Sequence, residues 1–178
     1  MSKMNKMKEI RMEKLTLNVG AGTNQDLLKK SIALLKNLTG VEPVKTVTQK
    51  RIPGWGLRPG LPIGCKITLR GKSAEELLER LLRAKENKLK ETSFDNDGNI
   101  SFGIPEYIDI PGMEYDSNIG IIGFEVAVTL ERPGYRVKKR KRRKAKVGKT
   151  HKIKHEEAIT FFKEKYNIEI INEQVQSQ

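Results

Sequence analysis

The chain is short of several residue types. In 178 residues it has one cysteine, one tryptophan and two histidines. A lone Cys65 forms no internal disulfide, which suits a reducing cytoplasm. No apolar run approaches the ~18 residues that a membrane helix needs. The opening stretch MSKMNKMKEIRMEK has no apolar core of the kind that marks a secretory leader, so an exported chain is not expected. Hydrophobic residues make up 37% and charged residues 32%, a balance that argues against both a membrane protein and full disorder. Repeats and a domain-separating linker are also missing, so residues 1–178 are expected to form a single domain.

The most informative shortage is of acid in one place. From Arg132 to Lys154 there are thirteen Lys/Arg and no Asp or Glu, while the remainder holds 22 of each sign. The whole net charge of +13 therefore lies in one stretch of 23 residues. Such a block repels itself and is expected to stay extended unless an anion neutralises it. Polyphosphate is its natural partner, since each cation that displaces condensed counterions adds salt-dependent affinity. Arginine adds a planar fork that matches phosphate. The candidate phosphate-binding residues are Arg132, Arg136, Lys138, Lys139, Arg140, Lys141, Arg142, Arg143, Lys144 and Lys146. A solvated tail, an import signal and an anionic membrane patch are the alternatives. The last usually brings an apolar helix face or a lipid anchor, and neither is visible nearby.

Hydrophobic spacing supplies the fold. Leu15, Leu17 and Val19 alternate with Thr16 and Asn18, the period of a half-buried strand. Gly20-Ala21-Gly22 follows, then a helical stripe of Leu27, Leu28, Ile32, Leu35 and Leu38. Thr23 with Asp26 reads as its N-terminal cap, and Thr39-Gly40 as its stop. A short β-rich piece runs from Val44 to Thr48. Cys65, Ile67 and Leu69 alternate with Lys66, Thr68 and Arg70. Ser73-Ala-Glu-Glu76 reads as a capping box opening a helix with Leu77, Leu78, Leu81 and Leu82 on one stripe. Asp95-Asn-Asp-Gly98 predicts a hairpin turn. Ile122 through Leu130 is read as the longest alternating strand. A last helix carries Ile159, Phe162 and Tyr166, with Glu156 and Glu157 in its first turn.

These elements predict an α+β fold: one mostly antiparallel sheet with helices packed on one face and the other face exposed. To it are added a projecting Gly/Pro-rich loop over 50–64 and a basic segment over 132–154. If the first and third strands share that sheet, the uncovered side presents Thr16, Asn18, Lys66, Thr68 and Arg70. Those groups hydrogen-bond phosphates, sugars and base edges; an ordinary solvated sheet face has the same look.

Catalytic and metal patterns fail one by one. Gly20-Ala-Gly22 begins a dinucleotide fingerprint, but Gln25 stands where a third small residue is needed. What survives is a glycine turn whose helix N-terminus offers N–H groups to a phosphate, through Gly20 and Gly22. Asp95, Asp97, Asn99 and Glu106 imitate a calcium loop, but Ile100 replaces its glycine and Pro105 blocks the exit helix. His151 and His155 sit among lysines that repel a dication. No enzyme activity, cofactor or metal is expected. The 52–64 loop is stranger: four glycines and three prolines between Pro53 and Gly64 bar helix and strand alike. Its Trp55, flanked by Lys50, Arg51 and Arg58, either folds back onto the core or projects as a finger that stacks on nucleic acid.

Several stretches resemble a known family. Leu17-Asn-Val-Gly-Ala-Gly22, Leu38-Thr-Gly-Val-Glu-Pro43 and Gly60-Leu-Pro-Ile-Gly-Cys-Lys-Ile-Thr-Leu-Arg-Gly71 are similar to the large-subunit ribosomal proteins that bind 5S rRNA, numbered five in bacteria and eleven in eukaryotes. Asn99-Ile-Ser-Phe-Gly-Ile104, Tyr115-Asp116 and Ile119-Gly-Ile-Ile-Gly123 continue the match. Arg132-Pro-Gly134 with its basic run, and Phe161-Phe-Lys-Glu-Lys-Tyr166, resemble the archaeal and eukaryotic branch. The resemblance implies a non-catalytic, ribosome-associated cytoplasmic protein of the central protuberance. It implies contact with 5S rRNA through Asn18 and Thr68, with large-subunit rRNA, and with a small-subunit head protein. It also implies that the loop from Lys50 to Pro62 reaches P-site tRNA through Lys50, Arg51, Trp55 and Arg58. Val41 replaces a glutamine frequent in bacterial relatives, and Trp55 stands where they carry phenylalanine. The rival reading is a free-standing, sequence-tolerant nucleic-acid-binding protein.

Overall fold

A computed structural model of the chain describes residues 5–171. The elements are β1 (Arg11–Gly20), α1 (Gln25–Thr39), β2 (Val44–Val47), β3 (Pro62–Leu69), α2 (Lys72–Arg83), β4 (Lys88–Lys90), β5 (Ile100–Ile104), β6 (Phe124–Glu131), α3 (Arg136–Lys139), α4 (His155–Tyr166) and β7 (Glu169–Ile171). Five strands form one antiparallel sheet in the order β2-β3-β1-β6-β5, and β4 pairs with β7 in a small parallel ladder. The α+β architecture is the one the spacing predicts.

The core lies on one side of the large sheet. Leu15, Leu17 and Val19 of β1, Cys65 and Ile67 of β3, and Val126, Val128 and Leu130 of β6 are buried there. Against them pack Leu28, Leu34, Leu35 and Leu38 of α1, the four leucines of α2, and Ala158 and Phe162 of α4. Each fully buried aliphatic or aromatic side chain contributes roughly 1.5–3 kcal/mol, so inward alternation on three adjacent strands decides the face. Burial also pushes the Cys65 thiol up to about 11, which leaves it protonated at neutral pH.

Local details depart from expectation in four places. The cap of α1 is Asn24, whose Oδ1 accepts from the Asp26 and Leu27 amides at 3.0 and 3.1 Å. Thr23 lies one residue too early to reach them. The capping box at Ser73 does not form, because the chain enters α2 through Gly71 at φ +71°, ψ −151°, a conformation open to glycine. Ser73 is then inside the helix, and its hydroxyl donates back to the Arg70 carbonyl at 3.3 Å. The longest strand is β1, with ten residues, not the 122–130 stretch. Ile122 is buried but precedes β6. Finally, β4 and β7 carry only three residues each, too few for a period of two to show.

The turn at Asp95 forms as predicted: Asp95 N–H donates to Asn99 O at 2.9 Å and Phe94 bridges to Ile100. The Phe94 ring meets Phe162 of α4 edge-on at 6.1 Å.

The cap assignment is testable by urea denaturation. Asn24→Ala is expected to cost about 1 kcal/mol, the usual loss for an N-cap. Thr23→Ala, on an exposed site, is expected to cost less than about 0.5 kcal/mol. The opposite ranking would restore Thr23 as the cap.

Candidate nucleic-acid interface

Register brings the predicted polar residues of the uncovered face into two cross-strand rows. Asn18 lies between Lys66 on β3 and Glu125 on β6, and Thr16 lies between Thr68 and Ala127. Val44 on β2 extends the first row beyond Lys66, and Ser101 on β5 extends the second beyond Ala127. Lys66 and Thr68 are exposed, while Thr16 and Asn18 are half-buried by their in-plane neighbours. None of them lies under a helix. Arg70 is exposed one residue past the end of β3.

Glu125 is a member of this face that sequence reasoning missed. Its Oε2 accepts a hydrogen bond from Asn18 Nδ2 at 3.2 Å. The amide is thereby oriented so that Asn18 presents its carbonyl oxygen, an acceptor for a ribose hydroxyl or a base amino group. The alternation of Phe124, Val126 and Val128 already put Glu125 outward; only the register puts it beside Asn18.

At the end of this face Gly20 pairs with Gly64. A Cβ on Gly64 would stand 2.5 Å from the Val19 carbonyl oxygen, so the two strands approach where a side chain does not fit. The turn from Gly20 to Gly22 leads into α1, but that helix caps itself. Asn24 takes the Asp26 and Leu27 amides through its side chain and the Leu28 amide through its carbonyl. Those three N–H groups are therefore not offered to a phosphate, and the helix-terminus reading of Gly20 and Gly22 loses its main donors.

The 50–64 loop is more ordered than its composition suggests. Ile52 and Leu57 exchange reciprocal backbone hydrogen bonds at 3.1 Å around a 3-10 turn from Pro53 to Trp55. Leu57 and Thr48 are buried at its base. Trp55 is 72% exposed, which decides between the two readings: it projects. Lys50, Arg51 and Arg58 are exposed beside it. The last three residues, from Pro62 to Gly64, belong to β3. Proline is tolerated at the first position of a strand.

The basic segment is tied to the domain by contacts that its composition does not reveal. Arg132 is buried, and its guanidinium donates to Glu157 Oε1 at 2.7 Å and to the His151 and Lys152 carbonyls. Its donors are turned inward onto the protein, where a phosphate on the surface does not reach them. Lys139 sits 2.6 Å from Glu13 and 2.7 Å from Glu131, which Arg11 also reaches. Its charge is committed to the protein's own carboxylates. Tyr135, also buried, donates its hydroxyl proton to His151 O and accepts from Ile153 N–H. Lys152 pairs with Asp97 at 2.8 Å. Three cations thus clasp the segment to the domain; Arg136, Lys138, Arg140 to Lys144 and Lys146 are exposed, and so is Lys139 over 38% of its side chain. His151 hydrogen-bonds Pro133 O through Nε2, and His155 meets the Phe94 ring at 6.1 Å.

Known proteins share this chain's pattern over nearly its whole length. Residues 5–58 match the family model described as Ribosomal protein L5, and residues 62–168 match the model for the C-terminus of the same ribosomal family. The two stretches meet in the 50–64 loop, yet their strands share one sheet. The chain is 51% identical over 166 residues to large ribosomal subunit protein uL5 of Nanoarchaeum equitans, covering 93% of this chain and 98% of the relative. It is 48% identical over 169 residues to uL5 of Sulfurisphaera tokodaii (94% and 96%). It is 43% identical over 166 residues to uL5 of Methanococcoides burtonii (93% and 98%).

The clasp carries a pH signature. Burial alone raises the Glu131 carboxyl, but hydrogen bonds from Lys139 and Arg11 outweigh it and hold the group below its ordinary value. Glu157 is likewise lowered: desolvation is overcome by the Lys154 amide and by Arg132. A carboxylate depressed in the folded state stabilises above its unfolded pKa, and that contribution is lost as pH falls through the folded value. Stability measured by urea midpoint is therefore expected to hold from pH 7 to about 5 and to fall below that. Glu131→Gln should shrink the fall; an unchanged acid limb would remove this pair from the clasp.

Proposed function

The chain belongs to the ribosomal protein L5 family, and we propose that in the large ribosomal subunit its uncovered sheet face binds 5S rRNA while its basic segment holds large-subunit rRNA. The observation that carries this reading is the row Lys66–Asn18–Glu125, set on the side of the sheet away from the helices. A row of one cation, one oriented amide and one carboxylate, next to a row of two threonine hydroxyls, suits a folded RNA better than a uniform polyanion. RNA is read through 2′-hydroxyls, phosphates and exposed base edges, and these need donors and acceptors side by side. Lys66 meets phosphate as a point charge, Asn18 and Thr68 meet sugar or base, and Arg70 extends the positive end. Gly20 and Gly22 bring bare backbone to the border of this face.

The exposed cations from Arg136 to Lys146 suit phosphate contact with the surrounding rRNA. The clasp supports this role, because a charged segment pinned at Arg132, Lys139 and Lys152 presents its exposed cations at lower ordering cost. The Trp55 finger, with Lys50, Arg51 and Arg58, suits P-site tRNA: a projecting ring stacks, and three cations follow the backbone. A small-subunit head protein is the partner that the family resemblance adds across the subunit interface.

Titration against 5S rRNA and a DNA duplex of equal length, at one salt concentration, tests the specific reading. Preference for 5S rRNA is expected; equal affinity would leave a sequence-tolerant binder. Asn18→Ala should weaken 5S binding by about 1–3 kcal/mol, the cost of leaving a partner unpaired, and unchanged affinity would take Asn18 out of the site. Replacing Arg140, Lys141, Arg142 and Arg143 by glutamine should flatten the log–log salt dependence by roughly 0.7–0.9 for each phosphate no longer neutralised. Arg132→Met should lower stability by about 2 kcal/mol, through loss of hydrogen bonds to a charged partner, and leave the salt slope as it was. A slope that responds to Arg132 instead would reverse the assignment.

A further inference from the structure

The basic segment borders a half-open cavity of about 670 Å³ lined by Tyr135, Ala145, Val147, Asp97 and five lysines. We propose that it seats one unstacked nucleotide of the bound RNA, base inward and phosphate at the lysines. This deepens the rRNA-binding reading of the segment and rests on it.

The volume falls within the range of roughly 300–1,000 Å³ typical of small-molecule sites. Its inner wall is apolar and fixed. Tyr135 is held by two hydrogen bonds through its hydroxyl, and Val147 packs against the core. Ala145 is tied to α3 by its N–H, which donates to Val137 O at 3.2 Å. A phosphate alone gains nothing from such a wall, whereas a base has a flat face that Ala145 and Val147 can cover, with the buried Tyr135 as the floor beneath them. Lys138, Lys144, Lys146 and Lys149 surround this wall, and among the described residues none of them is in an ion pair. Lys138 stands 4.8 Å from the centre of the Tyr135 ring. Four ammonium groups converging on one cavity repel each other until an anion enters. As compact point charges they accept a phosphate in any orientation.

Asp97 adds selectivity. Its Oδ1 is bound by Lys152 at 2.8 Å, which holds the carboxylate at the cavity wall as an acceptor. Adenine, guanine and cytosine carry an exocyclic amino group that can donate to it; uracil offers only its N3–H, flanked by two carbonyl oxygens that a carboxylate repels. The cavity therefore favours an amino-bearing base.

The test uses the full chain and methyl NMR at matched ionic strength. Titrating 5′-AMP should shift the Ala145 and Val147 methyls and the Tyr135 ring saturably. 5′-UMP should do so more weakly, and inorganic phosphate should leave the methyls in place. Equal shifts from inorganic phosphate would reduce the site to charge, and equal shifts from a glutamate-rich peptide would make it a protein-docking site. Either result, or methyls that never move, overturns the proposal. Ala145→Trp, which fills the cavity from an exposed position, should weaken rRNA binding roughly tenfold, the scale of one base stacked on an aromatic ring, with the salt slope preserved. If the slope responds to Lys144→Gln and Lys146→Gln while Ala145→Trp binds normally, the nucleotide seat falls and the phosphate role stands. A slope indifferent to both lysines removes the two together.

Discussion

β1 is hydrogen-bonded to β3 on one side and to β6 on the other, so it cannot turn about its own axis. Leu15, Leu17 and Val19 must then all enter the core, and Thr16 and Asn18 must all leave it. A slip of one residue would bury the polar set and expose the apolar one. Everything proposed for the uncovered face depends on this central strand. Its alternation selects the face, its two registers set Lys66 and Glu125 on either side of Asn18, and its bulge between Met12 and Lys14 brings Glu13 within reach of Lys139.

Charge is divided by the same packing. A run of thirteen cations with no acid among them looks homogeneous along the chain, yet the fold sorts it into anchors and outward-facing charges. Arg132 lies beneath the segment, where only a carboxylate and two carbonyls make its burial tolerable. Lys139 reaches back to the sheet end between two glutamates that are themselves largely covered. The remaining cations gain a fixed platform. The domain's own acids thus position its basic segment. Glu13 lies more than a hundred residues before Lys139, and Glu157 lies 25 residues beyond Arg132. No local pattern reveals such pairs.

Much of the placement of the candidate site residues was readable in advance. The outward positions of Asn18, Lys66 and Thr68 follow from a period of two and the chirality of the strand, which hold wherever a sheet has one buried face. The hairpin at Asp95 follows from its turn residues. Capping was less legible: Thr23 and Asn24 both suit an N-cap, and one residue of offset, set by where the glycine turn releases the chain, chose between them. At Ser73 a sound motif was overridden because Gly71 let the chain enter the helix earlier. Glu125 was missed because its meaning comes from the strand beside it. Trp55 was undecidable, since a ring on a glycine-rich loop meets no local constraint; the Ile52–Leu57 bridge turns it outward.

By itself, then, the order of residues determined the kinds of element, the buried and bare faces, the location of the excess charge and the family likeness, because each depends on neighbours a few positions away. Tertiary structure alone decided which cations are spent on the protein's own carboxylates, which carboxylate orients Asn18, and that a lysine-lined cavity exists. Those outcomes depend on contacts between segments far apart in sequence, and burial and pairing have no value until the chain has closed on itself.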